Sequence, residues 1–222
     1  MIIAIDGPSG AGKSTLAKRL AKELEFVYLD TGAMYRALAL KVLRQGIDLA
    51  DDARLAELIG STGIDLNENC GKMEVLLDGA DVAAEIRTPE GSQMGFKVSA
   101  LRAVRARMLE LQRAMGRRGN VVAEGRDIGT VIFPEAEVKI FLEASVSERA
   151  RRRYDELIAS GRAVGLVETL REFEERDKRD SERDVAPLRK AEDALMIDSS
   201  RVTADEVAAL VLAHVQNKLR EN

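Results

Sequence analysis

The strongest constraint on this chain lies at its start. Met1-Ile-Ile-Ala-Ile-Asp6 is a short apolar run, and Gly7-Pro8-Ser9-Gly10-Ala11-Gly12-Lys13-Ser14 follows it directly. A strand feeding G-x-x-x-x-G-K-S is the spacing of a loop that cradles phosphate. The glycines let the loop curl so that successive backbone N–H groups point at phosphate oxygens. Lys13 can reach the β- and γ-phosphates, and the Ser14 hydroxyl can ligate Mg2+. Ser14-Thr15 and the residues to Leu24 then keep helical periodicity, so the loop sits on a helix N-terminus, which favours anions. A chance Gly-rich turn ending in Lys-Ser would not bring strand, loop and helix in this order.

Bulk properties narrow the setting. The 222 residues suit one domain with an insertion, or at most two, and the expectation is a single unit, 1–222. The net charge of −4 gives no global field toward nucleic acid or membrane, so neither is expected as a partner. One cysteine, Cys70, cannot form an internal disulfide, which fits a reducing compartment. No apolar run approaches the roughly 18 residues of a membrane span, and the chain enters a strand without a signal-like segment. These features lead to the expectation of a cytoplasmic monomer. The one histidine, His214, lies among Leu210, Val211 and Val215 in the last helical stretch. That position reads as structural, and the count excludes a Ser-His-Asp triad near the loop and a multi-His zinc site.

Strand-like runs are expected at Ile2–Asp6, Phe26–Leu29, Asn120–Ala123, Val138–Leu142 and Ala194–Asp198. Helical patterns at Lys13–Glu25, Ala33–Gln45, Leu101–Gly116, Val146–Ser160 and Thr203–Arg220 separate them. Alternation of this kind predicts an α/β fold with a parallel five-stranded sheet flanked by helices. Strands apolar throughout fit a sheet covered on both faces. Ile64–Asn67, Met73–Leu77 and Ala80–Val82 break the alternation, with Asn69-Cys70-Gly71 and Asp78-Gly79 as turn signals. About residues 60–90 therefore read as a small antiparallel β insertion. It either decorates an edge or binds substrate, and insertions near strand ends favour the second.

The loop alone does not separate a motor, a switch GTPase and a kinase. A switch GTPase needs a guanine-reading Asn-Lys-x-Asp, whereas Asn217-Lys218 lacks the Asp. What the chain has instead is arginines near strand ends. Leu29-Asp-Thr31-Gly-Ala-Met-Tyr35-Arg36 follows the second strand. Thr31 can cap the next helix, but capping leaves Tyr35 and Arg36 unexplained, and such a pair suits phosphate. Val121-Val-Ala-Glu124-Gly-Arg126-Asp127 ends a strand in a carboxylate. Glu124 holds the place of the acid that helps organise Mg2+. Arg126 and Asp127 are either a surface ion pair or partners for a phosphate and an exocyclic amine. Arg176, Arg179 and Arg183 are spaced to share one helix face with Asp180. With Arg149 to Arg153 and Arg162 beyond Gly161, they read as a mobile Arg-rich lid over about residues 150–180. The acids throughout this stretch also fit a solvated, salt-bridged surface.

In this order the motifs IDGPSGAGKST, LDTGAMYR, EIRT, EGRDIGTVIFP and ERDKRDSERDVAPL closely resemble the bacterial cytidylate kinases, nucleoside monophosphate kinases of the P-loop class. The resemblance spans nearly the whole chain. It implies an ATP site at Gly7, Pro8, Ser9, Gly10, Ala11, Gly12, Lys13, Ser14 and Thr15, with Arg149, Arg153 and Arg162 in the lid. It implies that Arg36, Arg126 and Arg183 hold the phosphate of CMP and that Tyr35 lines the pocket. Thr31, Arg105 and Asp127 would read cytosine, and Arg176 and Asp180 would meet the ribose. Residues 60–90 would be the NMP-binding insertion, and Ser14 and Glu124 would serve Mg2+, Glu124 through water. Lys13, Arg126 and Arg183 would carry catalysis.

The expected reaction is Mg-assisted transfer of the ATP γ-phosphate to CMP or dCMP. The acceptor phosphate is already anionic at neutral pH, so no general base is needed. Catalysis is then positioning and charge neutralisation. The alternatives are another small-molecule P-loop kinase acting on UMP or shikimate, and a nucleotide-dependent RNA-binding or switch protein.

Overall fold

A computed structural model describes residues 1–69 and 72–221. Cys70 and the Asn69-Cys70-Gly71 turn signal lie outside the described residues in whole or part. Met1–Tyr28 with Asn120–Asn222 form one compact unit, and Leu29–Gly119 a second.

The first unit is built on a five-stranded sheet. Its strands are β1 (Ile2–Asp6), β2 (Val27–Asp30), β6 (Val121–Gly125), β7 (Val138–Glu143) and β8 (Leu195–Asp198), in the order β2-β6-β1-β7-β8. The chain leaves this unit within β2. β1 runs parallel to β6 and β7, and β7 parallel to β8. β1 is central because Ile3, Ala4 and Ile5 have no polar atom to leave solvated, and all three are fully buried. Later strands are laid on both sides of β1, so the winding reverses at its carboxyl end. Ligands of open α/β sheets bind at such a reversal. Asp6, the last residue of β1, stands beside Gly125 on one side and Phe141 on the other. Helices α1 (Lys13–Leu24), α6 (Val146–Ala159), α7 (Leu166–Glu182) and α8 (Ala204–Glu221) belong to this unit. Both edge strands depart from burial on both faces: Val27 of β2 and Leu195 and Met196 of β8 are exposed.

The second unit holds α2 (Thr31–Gln45), α3 (Asp52–Gly60), α4 (Pro89–Ser99) and α5 (Arg102–Gly116). An antiparallel sheet, β3 (Ile64–Asn69), β4 (Lys72–Leu77) and β5 (Ala80–Asp81), accompanies them in that order. The Asp78-Gly79 turn joins β4 to β5 with both residues at positive φ, 50° and 86°, as a tight hairpin requires.

Two helices of the second unit escape the periodicity reading. In α4 the buried positions include Gly91 and Gly95, so its inner face lacks the apolar stripe that marks a helix. The glycine at 95 serves close packing, since a Cβ there would stand 3.1 Å from the Cγ and 3.4 Å from the Cα of Arg36. Thr88 caps α4 by accepting from Gly91 N, and Pro89 opens it. α3 is a short helix capped by Asp51, which accepts from Arg54 N. The cap of α2 also differs from expectation. Asp30, not Thr31, accepts from Ala33 N at 2.8 Å, and Thr31 is buried in the first turn.

Candidate active site

The phosphate loop is bound in place from several directions. Gly7, Gly10 and Gly12 all have positive φ, at 150°, 75° and 94°. A Cβ on Gly7 would meet the carbonyl oxygen of Leu142 at 2.0 Å, so β7 lies directly against the loop. α1 begins at Lys13 with no side-chain cap on its N-terminus, which leaves its first N–H groups turned toward the loop. Ser199 Oγ donates to the carbonyl of Ala11 at 3.1 Å. Arg149 is buried on α6 and donates to Ser9 O at 3.0 Å, to Ala144 O at 2.8 Å and to both oxygens of Asp177. Phe173 packs over Gly10, where an added Cβ would stand 2.7 Å from its ring.

Lys13 Nζ donates to Pro8 O at 2.6 Å. Burial, followed by the charge of Arg126, pushes the Lys13 ammonium down to about 7. Ser14 Oγ donates to Glu124 Oε2 at 2.9 Å, and the Tyr28 hydroxyl donates to Glu124 Oε1. Lys18 lies over the Tyr28 ring, 5.8 Å from its centroid. A hydroxyl and a carboxylate in contact are hard oxygen donors of the kind Mg2+ takes. No group of three or more potential His, Cys, Asp or Glu ligands occurs among the described residues.

At the end of β6, Arg126 Nε donates to Asp180 Oδ2 at 2.7 Å. Arg183 Nη2 donates to Asp127 Oδ1 at 3.2 Å, and Arg183 Nε donates to Ala186 O. Burial alone would raise the Asp180 carboxyl, but Arg126, Arg176 and Arg183 hold it below the usual carboxylate range. The shared helix face expected for the arginines is corrected in part. α7 ends at Glu182, and Arg183 follows it in extended conformation, φ −63° and ψ 142°. It reaches Asp127 because it has left the helix. Arg179 stays exposed and donates to Glu175 O at 3.1 Å.

The structure thus gathers Lys13, Ser14, Glu124, Arg126, Asp127, Arg176, Asp180 and Arg183 within the first unit. Thr15 is exposed on α1. Arg153 pairs with Glu156 at 3.1 Å, and Arg162 is exposed in the loop after α6. In the second unit the Arg105 guanidinium lies 5.8 Å from the Tyr35 ring centroid, and its Nη1 donates to Ser99 O at 3.3 Å. Arg36 Nη2 donates to Asp30 at 3.1 Å. Sequence reading missed Asp6, Tyr28, Phe173, Asp177 and Ser199. Their partners are far away along the chain, and no local pattern marks them.

The model of the cytidylate kinase family matches residues 3–217. A cytidylate kinase of Pelotomaculum thermopropionicum is 51% identical, covering 99% of this chain and 97% of that protein. The cytidylate kinase of Bacillus subtilis is 48% identical, covering 98% and 97%. Among solved structures, an uncharacterized protein from Eubacterium ventriosum superimposes with a TM-score of 0.54 at 16% identity, covering 98% of each chain. That likeness shows the shared fold. The family match over nearly its full length, together with the loop and arginine cluster, shows that this chain belongs to the cytidylate kinase family.

Proposed function

We propose that this enzyme transfers the γ-phosphate of ATP to CMP and dCMP, giving the diphosphates and ADP. The observation that carries the reading is the meeting, within one unit, of two halves of such a site. One half is the phosphate loop with Lys13 and Ser14 against Glu124. The other is Arg126 and Arg183, each aligned by a carboxylate.

The acceptor phosphate is anionic at neutral pH and needs no base, which suits a site without histidine. The chemical problem is holding two polyanions in line. The loop amides and the N-terminus of α1 take the donor phosphates, and Lys13 neutralises the group being transferred. Ser14 and Glu124 are the residues that would hold Mg2+, which supplies charge neutralisation on the ATP phosphates. Arg126 and Arg183 take the acceptor phosphate, because a planar guanidinium binds phosphate oxygens in pairs. Asp180 and Asp127 orient those arginines. Asp127 also has acceptor capacity for the cytosine amino group. Arg176 and Asp180 are assigned to the ribose. In the second unit Arg36 is assigned to the acceptor phosphate, Tyr35 to the pocket wall, and Thr31 and Arg105 to the base. These assignments follow the family motifs they occupy. Arg153 and Arg162 are assigned to a lid that closes over the donor phosphate and excludes water.

A coupled assay of ADP formation with CMP, dCMP, UMP, AMP and shikimate tests this reading. CMP and dCMP should give the highest kcat/KM. Preference for UMP or shikimate would overturn it.

A further inference from the structure

Asp6 is a buried carboxylate that the reaction does not use. It ends β1, one residue before the phosphate loop, and is 4% exposed. Its two oxygens accept from consecutive backbone amides: Ile128 N to Oδ1 at 2.8 Å, and Gly129 N to Oδ2 at 2.8 Å. These amides open a single π-helical turn, Ile128–Ile132, which starts immediately after Asp127. The far end of that turn closes on Asp127 itself, whose carbonyl accepts from Val131 N at 2.9 Å and Ile132 N at 3.1 Å.

The Asp127 backbone is therefore held between this turn and β6. One-turn π segments are rare and gather at functional sites. Their amides lack the repeating pattern of a long helix, so the direction of Asp127 depends on what holds the first two. Gly129 packs against the clamp: a Cβ there would stand in ordinary contact with Asp6 Oδ2, at 3.5 Å, and tighter against Lys139 Cδ, at 3.2 Å. A strand residue such as Val would bury at lower cost than Asp. The two charge-assisted hydrogen bonds are what a carboxylate adds.

We infer that Asp6 is a positioning residue for acceptor recognition. By clamping the amides of Ile128 and Gly129 it sets where Arg126 and Asp127 point, and so governs selectivity for CMP over UMP without touching substrate. The inference rests on the proposed reading of the base by Asp127.

Asp6→Asn keeps shape and volume but turns one acceptor into an NH2 that faces an N–H. The variant should fold with an unchanged circular dichroism spectrum. Its CMP/UMP ratio of kcat/KM should fall about tenfold, while KM for ATP stays within about twofold of wild type, since one buried hydrogen bond is removed from one side of the site. A ratio unchanged in a folded Asp6→Asn enzyme overturns the inference. Amide exchange in the wild type gives a second check: Ile128 and Gly129 should be protected, and free exchange at both overturns the clamp. If Asp6→Asn does not fold, Asp6→Ser carries the same kinetic comparison. Asp127→Ala, measured in parallel, separates the two ideas. If it lowers the ratio and the Asp6 variants do not, only the positioning role fails. If it too leaves the ratio unchanged, the base-reading assignment fails with it.

Discussion

Asp180 receives the Nε of Arg126 at 2.7 Å from the last turn of α7, and both side chains are largely shielded from solvent. The guanidinium is thereby held by its Nε, while its Nη1 donates to the Gly125 carbonyl at 3.4 Å. Asp180→Asn should lower kcat/KM for CMP about ten- to a hundredfold, as loss of a charge-assisted contact would. The pair also makes a stability prediction. The Asp180 pKa is lowered on folding, so its contribution is fully present above the unfolded value of 3.8 and is lost as pH falls below it. Melting temperatures measured from pH 6 to pH 3 should fall less steeply in Asp180→Asn than in the wild type.

Lys13 predicts a proton linkage. Burial, followed by the charge of Arg126, lowers its ammonium to about 7, so the charged form is held weakly in the free enzyme. Triphosphate favours the charged form, so ATP binding above pH 7 takes up a proton and affinity weakens as pH rises, by up to about tenfold per unit. Calorimetry in two buffers of different ionisation enthalpy should show that uptake, and Lys13→Ala should lose it. The same variant should fold and lose at least about 100-fold in kcat.

Arg183 separates a working arginine from a surface one. Exposed ion pairs contribute about 0–1 kcal/mol, so a decorative Arg183 could be removed at little cost. Arg183→Ala should instead cut kcat/KM for CMP about ten- to a hundredfold and change ATP affinity much less. Arg183→Lys should recover part of the loss, because it restores charge without the fork. Steady-state kinetics with each substrate varied in turn would decide, and unaltered CMP kinetics in Arg183→Ala would remove it from the site.

Two glycines with positive φ should respond differently to alanine. At Gly79 the added Cβ meets open space, so the cost is the backbone strain alone, about 1–2 kcal/mol. At Gly7 the Cβ would overlap the Leu142 carbonyl at 2.0 Å, and a backbone oxygen cannot swing aside. Gly7→Ala should melt well below Gly79→Ala and lose nucleotide binding, whereas Gly79→Ala should keep it. Thermal melting with and without ATP makes the comparison.

By itself the sequence determined what local chemistry decides. Gly7 to Ser14 declares a phosphate loop because glycine spacing, a lysine and a helix start are all written within one turn of chain. The five strands of the main sheet were legible because each is a short apolar run, and the Asp78-Gly79 hairpin because that dipeptide tolerates positive φ. The helix α4 was not legible, because its inner face carries glycines that let it press on Arg36. The tertiary structure alone decided which charges meet. Ser14 finds Glu124, Tyr28 finds the same carboxylate, and Asp6 finds the amides of Ile128 and Gly129 because the sheet lays β6 between β2 and β1. Arg183 looked like part of a helical stripe, and it reaches Asp127 because the helix stops one residue earlier. A residue's type limits which bonds it can make. Which of them it makes depends on strand order and on where a helix ends, and these are set by packing between segments 56 to 123 residues apart along the chain.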